Sequence, residues 1–125
     1  MVSLEVKKFN TIIEKFLEEL HNILPDEKDI VIFQSQLSVA TMFDPSKIIN
    51  SFMKYAYPHR EHIISKNEAF FLGDGLSVKN DYMSEAIHLT ELWKNKLSQE
   101  NKDIVWKYFQ VLVVIAEKYN SREKN

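Results

Sequence analysis

The fold is decided by one long stretch of sequence, residues 98–119, which reads SQENKDIVWKYFQVLVVIAEKY. Seven of its apolar residues follow the spacing of an amphipathic helix: Ile104, Val105, Tyr108, Phe109, Leu112, Ile115 and Ala116. Four others fall outside that stripe: Trp106, Val111, Val113 and Val114. A helix that is apolar on several sides needs neighbours on several sides. We therefore predict the central helix of a bundle, or a central helix with one face left for a partner.

The composition favours helices throughout the chain. A chain of 125 residues fits one domain with one hydrophobic core. Only 2 Gly and 3 Pro are present, which leaves few turn signals for a protein built from short strands. We predict an all-α fold: a compact bundle of five to six helices in a single domain over residues 1–125, with a frayed polar tail over residues 119–125.

Charge and cysteine content exclude several classes of protein. The net charge of -2 argues against a protein whose main activity is to neutralise phosphates. With 0 Cys there is no disulfide, thiolate metal site or cysteine nucleophile, which fits a reducing compartment. No stretch approaches the ~20 apolar residues needed to cross a bilayer. We expect a soluble intracellular protein that does not act on membranes.

Two amphipathic helices are predicted before the first strong turn signal. Residues 3–24 have regular apolar spacing, with Ser3 as the N-cap and Pro25 after the end. Residues 26–42 form a second helix if Asp26 caps it, although residues 30–33 would also suit a buried strand. The shared apolar face of this second helix contains Ile30, Phe33, Leu37 and Ala40.

The middle of the chain is less regular. Asp44 followed by Pro45 predicts the start of a third helix, which Pro58 stops or bends. A loop over residues 66–79 is expected to close one end of the bundle, with the apolar triplet of residues 70–72 entering the core. Both glycines, Gly73 and Gly75, lie in that loop. A further helix is predicted over residues 80–97, and Ser98 is the expected cap of the last one.

No catalytic chemistry stands out. His59 and His62 are three residues apart and would share one side of a helix, but a structural zinc site needs four ligands. A metal site would require a carboxylate such as Asp44 or Glu68 to converge on both histidines. Because no nucleophile motif, phosphate loop or acid–base pair is present, we predict no catalytic residue, no metal and no cofactor.

Two kinds of binding remain. The first is protein binding or self-association through an exposed patch made of Trp106, Val113 and Val114, extended by Phe70 and Phe71, because large rings anchor interfaces well. The second is nucleic-acid binding, since aromatic and basic residues alternate around residues 55–60 and 106–109. Its candidate basic rim consists of Lys54, Arg60, Lys66, Lys102 and Lys107. Core packing is the commoner use of such rings, so we favour protein binding.

Several landmarks also carry a family resemblance over nearly the whole chain. The most distinctive are the Asn-Glu-x-Phe-Phe-Leu segment at residues 67–72 and the Trp-Lys-Tyr-Phe segment at residues 106–109, and weaker ones are Phe9-x6-Phe16 and Tyr55-x-Tyr57-Pro58. Taken in their order along the chain, these segments resemble small all-helical proteins encoded by nucleocytoplasmic large DNA viruses. The resemblance implies a viral adaptor, scaffold piece or modulator in the host cytoplasm or the virion. The resemblance implies no catalytic residue and no cofactor for this chain.

Overall fold

The structure is a computed structural model that describes residues 3–72 and 93–123. All regular structure in these two ranges is helical, which confirms the predicted all-α bundle with a long C-terminal helix. Residues 93–96 are helical as well. The α-helices are α1 (Leu4–Ile23), α2 (Lys28–Phe43), α3 (Lys47–Tyr55), α4 (Arg60–Ile64), α5 (Glu68–Leu72) and α6 (Gln99–Glu123), and a short 3-10 helix (Tyr57–His59) links α3 to α4.

Helix α6 lies at the centre of the described bundle and packs against α1, α3 and α4. The buried core cluster contains Val6 and Phe9 from α1, Ile49 from α3, and Leu112, Ile115 and Ala116 from α6. At 100° per residue, the buried positions of α6 cover roughly half of its circumference. About half of the helix surface is therefore buried against its neighbours, and the other side is exposed.

Helix α1 follows the sequence prediction closely. Ser3 occupies the N-cap, and its hydroxyl oxygen accepts a hydrogen bond of 3.3 Å from the backbone N–H of Val6. The apolar spacing puts Phe9, Leu17 and Leu20 on the buried side. These residues give α1 a continuous face toward α6.

The α2–α3 corner differs from the prediction in its capping. Asp26 is not the cap of α2, because Glu27 occupies that position without a side-chain hydrogen bond. Asp44 does not open α3; it closes α2, donating its backbone N–H to the carbonyl of Ala40 at 2.9 Å. Its Oδ1 atom then accepts from the N–H of Ser46 at 3.1 Å, which turns the chain before α3 begins. Residues 30–33 are helical, so the strand alternative was wrong.

The segment after Pro58 is more helical than the sequence indicated. Part of the predicted loop forms α5 (Glu68–Leu72), and Asn67 caps it by accepting from the N–H of Phe70 at 3.1 Å. The remainder of that loop, with Gly73 and Gly75, lies outside the described residues, as does most of the helix predicted over residues 80–97.

Helix α6 continues beyond Tyr119, where the polar tail was expected to begin, and ends at Glu123; the fraying of residues 119–125 stays a prediction. Two contacts join this last part of the helix to its neighbours. The Tyr119 hydroxyl donates to Oδ1 of Asn50 at 2.8 Å, and Nε of Arg122 lies 3.1 Å from Oε1 of Glu5, a carboxylate that is only 5% exposed.

Candidate interaction surface on helix α2

Helix α2 carries many large apolar residues yet contributes only one fully buried residue to the core. Residues 30–43 contain no charged side chain, and Ile30 is the one residue of the helix that is fully buried, at 4% exposure. Its exposed large apolar residues are Val31, Ile32, Phe33, Val39, Met42 and Phe43. Large apolar side chains in such a concentration on a surface are typical of binding sites.

Five of these residues form one continuous stripe. Successive steps of 100° place Ile32, Val39 and Met42 along a single line of the helix surface, with Ser35 between them, and Val31 and Phe43 beside that line. We call Val31, Ile32, Val39, Met42 and Phe43 the α2 stripe. The opposite side of α2 packs on α1 and α3, so the stripe faces outward.

The C-terminal end of the stripe is its most exposed part. Met42 is 82% exposed and Phe43 is 87% exposed, although both side chains are large and apolar. They stand at the α2–α3 corner, which is held to α1 by a hydrogen bond of 2.9 Å from the Asn10 side-chain amide to the carbonyl oxygen of Pro45. The corner therefore presents these two side chains on a braced backbone.

The patch predicted from the sequence is only partly on the surface. Trp106 and Val113 are buried, at 5% and 1% exposure, so the prediction that they are exposed anchors was wrong. Trp106 packs edge-on against Trp93, with ring centroids 5.5 Å apart. The reason is that the buried arc of α6 is wider than a simple amphipathic stripe. Val114 is exposed, at 51%, and Val111 is exposed beside it.

The predicted patch also included two aromatic residues of the 66–79 loop, Phe70 and Phe71, and only the first can be placed. The ring of Phe70 is half-buried and stacks on the His62 ring with centroids 3.8 Å apart, and the His59 ring lies 5.0 Å from it. The amide nitrogen of Asn67 lies 2.9 Å from Nδ1 of His62 and fixes this histidine against the stack. Phe70 therefore serves local packing. The Phe71 side chain lies outside the described residues.

Most cations of the predicted basic rim already contact other side chains of this chain. Lys66 lies 3.9 Å from Asp103, and Lys102 lies 3.6 Å from Glu68 and over the ring of Trp93. The other two contacts are with aromatic rings: Arg60 lies over Tyr57 and Lys54 over Tyr55. Lys107 is exposed. The two carboxylate contacts, of Lys66 and Lys102, reduce the net positive charge that the rim offers to phosphates.

The histidines do not form a metal centre with the carboxylates that the sequence suggested. His59 and His62 are both turned toward Phe70, and over residues 3–72 and 93–123 no three metal-binding side chains converge. None of the helices in those ranges is long and apolar enough to cross a membrane.

The α2 stripe has a sequence signal that periodicity missed. We expected α2 to bury the face that contains Phe33, but that side chain is 39% exposed, and the helix has little one-sided amphipathicity. The informative feature is the absence of charge over residues 30–43 in a chain with 27% charged residues. A surface helix that packs on its neighbours with only one side normally carries charged residues on the side that faces solvent.

No protein-family model, curated protein or solved structure matches the chain.

Proposed function

We propose that this protein is a non-enzymatic interaction module that binds a protein partner through the α2 stripe. The observation that carries the proposal is the exposure of Met42 and Phe43, at 82% and 87%, at the end of an uncharged helix face. Covering one such side chain releases roughly 1.5–3 kcal/mol of apolar transfer free energy. Two adjacent anchors on a braced corner have the character of an interface hot spot.

The resemblance to proteins of nucleocytoplasmic large DNA viruses suggests where such a module would act. In that setting it would be a virion component or a modulator of host proteins in the infected cell. The uncharged, apolar character of the stripe suits a partner that offers an apolar helix or groove, as in helix-in-groove recognition.

A nucleic-acid function has less support. Four cations of the predicted rim already have contacts within the chain: Lys66 with Asp103, Lys102 with Glu68, Arg60 with Tyr57, and Lys54 with Tyr55. A phosphate backbone would have to compete with those carboxylates and rings. This alternative predicts binding to DNA at low salt that weakens steeply as salt rises.

The test compares the α2 stripe with the exposed valine of α6. The Met42→Glu/Phe43→Glu variant and the Val114→Glu variant are each used as bait in extracts of the native cells, with mass-spectrometric identification of bound proteins and light-scattering measurement of the bait's molar mass. Because all three residues are exposed, both variants should keep the wild-type circular dichroism spectrum and unfolding temperature.

The proposal expects that a partner or a dimer seen with wild type is lost with the Met42→Glu/Phe43→Glu variant and kept with Val114→Glu. Loss of the partner or dimer in Val114→Glu alone would indicate that the binding site lies on α6. An unchanged set of partners and an unchanged molar mass in the double variant would overturn the proposal.

A further inference from the structure

We propose that the partner covering the α2 stripe is the α2 stripe of a second copy of this chain, packed antiparallel about a two-fold axis level with residue 37. This inference rests on the proposed function, because it names the partner of the same surface. Two-fold dimers use one self-complementary patch on both subunits. The stripe meets that requirement in the sizes of its side chains and in the charges at its ends.

The sizes of the side chains match in an antiparallel register. The two large residues, Met42 and Phe43, stand at one end of the stripe, and β-branched residues stand at the other end. An axis level with residue 37 places the large end of each copy over the smaller end of the other. The opposed pairs are Phe43 with Val31 of the partner subunit, Met42 with Ile32 of the partner subunit, and Val39 with Ser35 of the partner subunit.

The small residue in the middle allows the helices to come close. Ser35 lies on the line of the stripe, two residues from the level of the proposed axis, where the two helices are nearest to each other. Its short side chain leaves room for Val39 of the partner subunit. A helix pair packed in this way interlocks large and small side chains along the whole stripe.

The charges at the two ends of α2 favour an antiparallel pair over a parallel pair. Asp26, Glu27 and Asp29 surround Lys28 at the N-terminal end, whereas Asp44 and Lys47 lie at the C-terminal end. A parallel pair would bring the two acidic ends together. An antiparallel pair instead places each acidic end beside the C-terminal end of α2 of the partner subunit, where the charges of the partner's Asp44 and the partner's Lys47 cancel.

Two further electrostatic features fit a second copy. Lys28 lies on the same line of the helix as the stripe, one turn before Ile32, so its ammonium group is at the rim of the contact. The helix dipoles of an antiparallel pair are opposed, which is the favourable arrangement. The net charge of -2 is too small to keep two copies apart at ordinary salt.

The size of the contact sets its strength. Helix α2 has 16 residues and is therefore about 24 Å long, so a two-helix contact is smaller than a standard interface of roughly 800 Å² per partner. Because small interfaces are commonly weak and transient, we expect a reversible monomer–dimer equilibrium that shifts over roughly 1–300 µM protein. Sedimentation velocity should show the mass rising from 14.8 kDa toward twice that value.

The register is tested by disulfide cross-linking, for which this chain is well suited because it has no cysteine of its own. The proteins carrying Ile32→Cys and Met42→Cys are mixed and oxidised, and each is also oxidised alone. Val114→Cys, on the exposed face of α6, is the matched control.

The antiparallel register predicts that the mixture forms a mixed disulfide between positions 32 and 42 much faster than either variant forms a disulfide alone. In that register the two copies of position 32 lie about 15 Å apart along the axis, beyond the reach of a disulfide. Rapid disulfide formation by Ile32→Cys alone would indicate a parallel pair and would overturn the inference. Cross-linking of Val114→Cys at the same rate as the mixture would also overturn it.

The failure of this inference can be told apart from failure of the proposed function. A wild-type protein that stays monomeric at 300 µM overturns self-association. If wild type stays monomeric but binds another protein, and the Met42→Glu/Phe43→Glu variant loses that protein, the proposed function is supported and only the dimer is excluded. If neither a dimer nor a lost partner is found, both proposals fail.

Discussion

The hydroxyl of Tyr108 donates a hydrogen bond of 2.5 Å to Oε2 of Glu19, joining the central helix α6 to α1 across 89 residues of sequence. The same ring lies 5.3 Å from the ring of Phe16, so the bond sits at the edge of an aromatic cluster that also includes Phe109. A short bond to a carboxylate is among the stronger hydrogen bonds in proteins. It fixes the rotation of α6 against α1.

Removal of this hydroxyl should destabilise the bundle. We expect Tyr108→Phe to lower the free energy of unfolding by about 1–2 kcal/mol, because Glu19 loses a hydrogen bond that is assisted by its charge. Urea unfolding followed by circular dichroism measures the loss. Tyr119→Phe is the control, since its hydroxyl donates to the neutral amide of Asn50, and its loss should be smaller. An equal or larger loss for Tyr119→Phe would contradict this assignment.

The same bond makes stability depend on alkaline pH. The hydrogen bond to Glu19, followed by desolvation, raises the pKa of Tyr108 to about 12 from its ordinary value of 10.0. Between these values the folded chain retains a proton that the unfolded chain has lost. The contribution to stability is therefore complete below pH 10 and decreases as the pH rises toward 12.

Urea unfolding at several alkaline pH values checks this dependence. Wild type should lose stability between pH 10 and 12 more steeply than Tyr108→Phe, which has no proton to lose at this position. Parallel pH profiles for the two proteins would contradict the raised pKa.

A glycine at position 66 should stabilise the protein. Lys66 ends α4 with a φ of 56°, and the bonds from Lys66 N–H to Ile63 and from Asn67 N–H to His62 form a Schellman motif. Glycine takes this left-handed conformation without the steric cost of a Cβ atom. We expect Lys66→Gly to raise the free energy of unfolding by about 0.5–1 kcal/mol in thermal or urea unfolding.

The neighbouring residue provides the control for Lys66→Gly. Ser65 has a right-handed φ of -83°, so Ser65→Gly should be neutral or destabilising. The exposed pair of Lys66 with Asp103, at 3.9 Å, is too weak to offset the gain. Destabilisation by Lys66→Gly beyond that of Ser65→Gly would contradict the prediction.

Removal of Arg122 should release the last turn of α6. Arg122 contacts the buried carboxylate of Glu5 in the first turn of α1, and without it that charge loses its counter-ion. We expect Arg122→Ala to cost about 1–2 kcal/mol and to speed amide hydrogen exchange over residues 119–123. Lys118→Ala, a neighbouring exposed cation, is the control and should change neither quantity. Unchanged exchange in Arg122→Ala would mean that another contact orders this turn.

The parts of the fold that follow from regular spacing were predictable. Helix α1 has a clear cap in Ser3 and a strict apolar stripe, and its observed bounds agree with the sequence within one residue. Helix α3 began later than expected because Asp44 has two uses that sequence alone does not separate: it can cap a following helix or close a preceding one. The hydrogen bonds of its backbone N–H and its Oδ1 atom show that Asp44 closes the preceding helix, α2.

The interaction surface was harder to predict because burial depends on which neighbours are present. Trp106 and Val113 lie off the main stripe of α6, and their burial follows from the width of the contact with several surrounding segments, including Trp93. Conversely, Phe33 has the spacing of a core residue but lies at the margin of a shallow contact. Periodicity gives the direction of a face, whereas the depth of burial comes from tertiary packing.

The central claim is that the α2 stripe serves binding and not folding. It is tested most directly by the unfolding free energy of Met42→Ala/Phe43→Ala, measured at a protein concentration at which sedimentation shows a monomer. We predict a change within about 0.5 kcal/mol of wild type, as for other surface substitutions, against a loss of about 3–5 kcal/mol for Trp106→Ala in the core. A loss of about 2 kcal/mol or more in the double variant would contradict the claim, because it would show that Met42 and Phe43 already pack within the monomer.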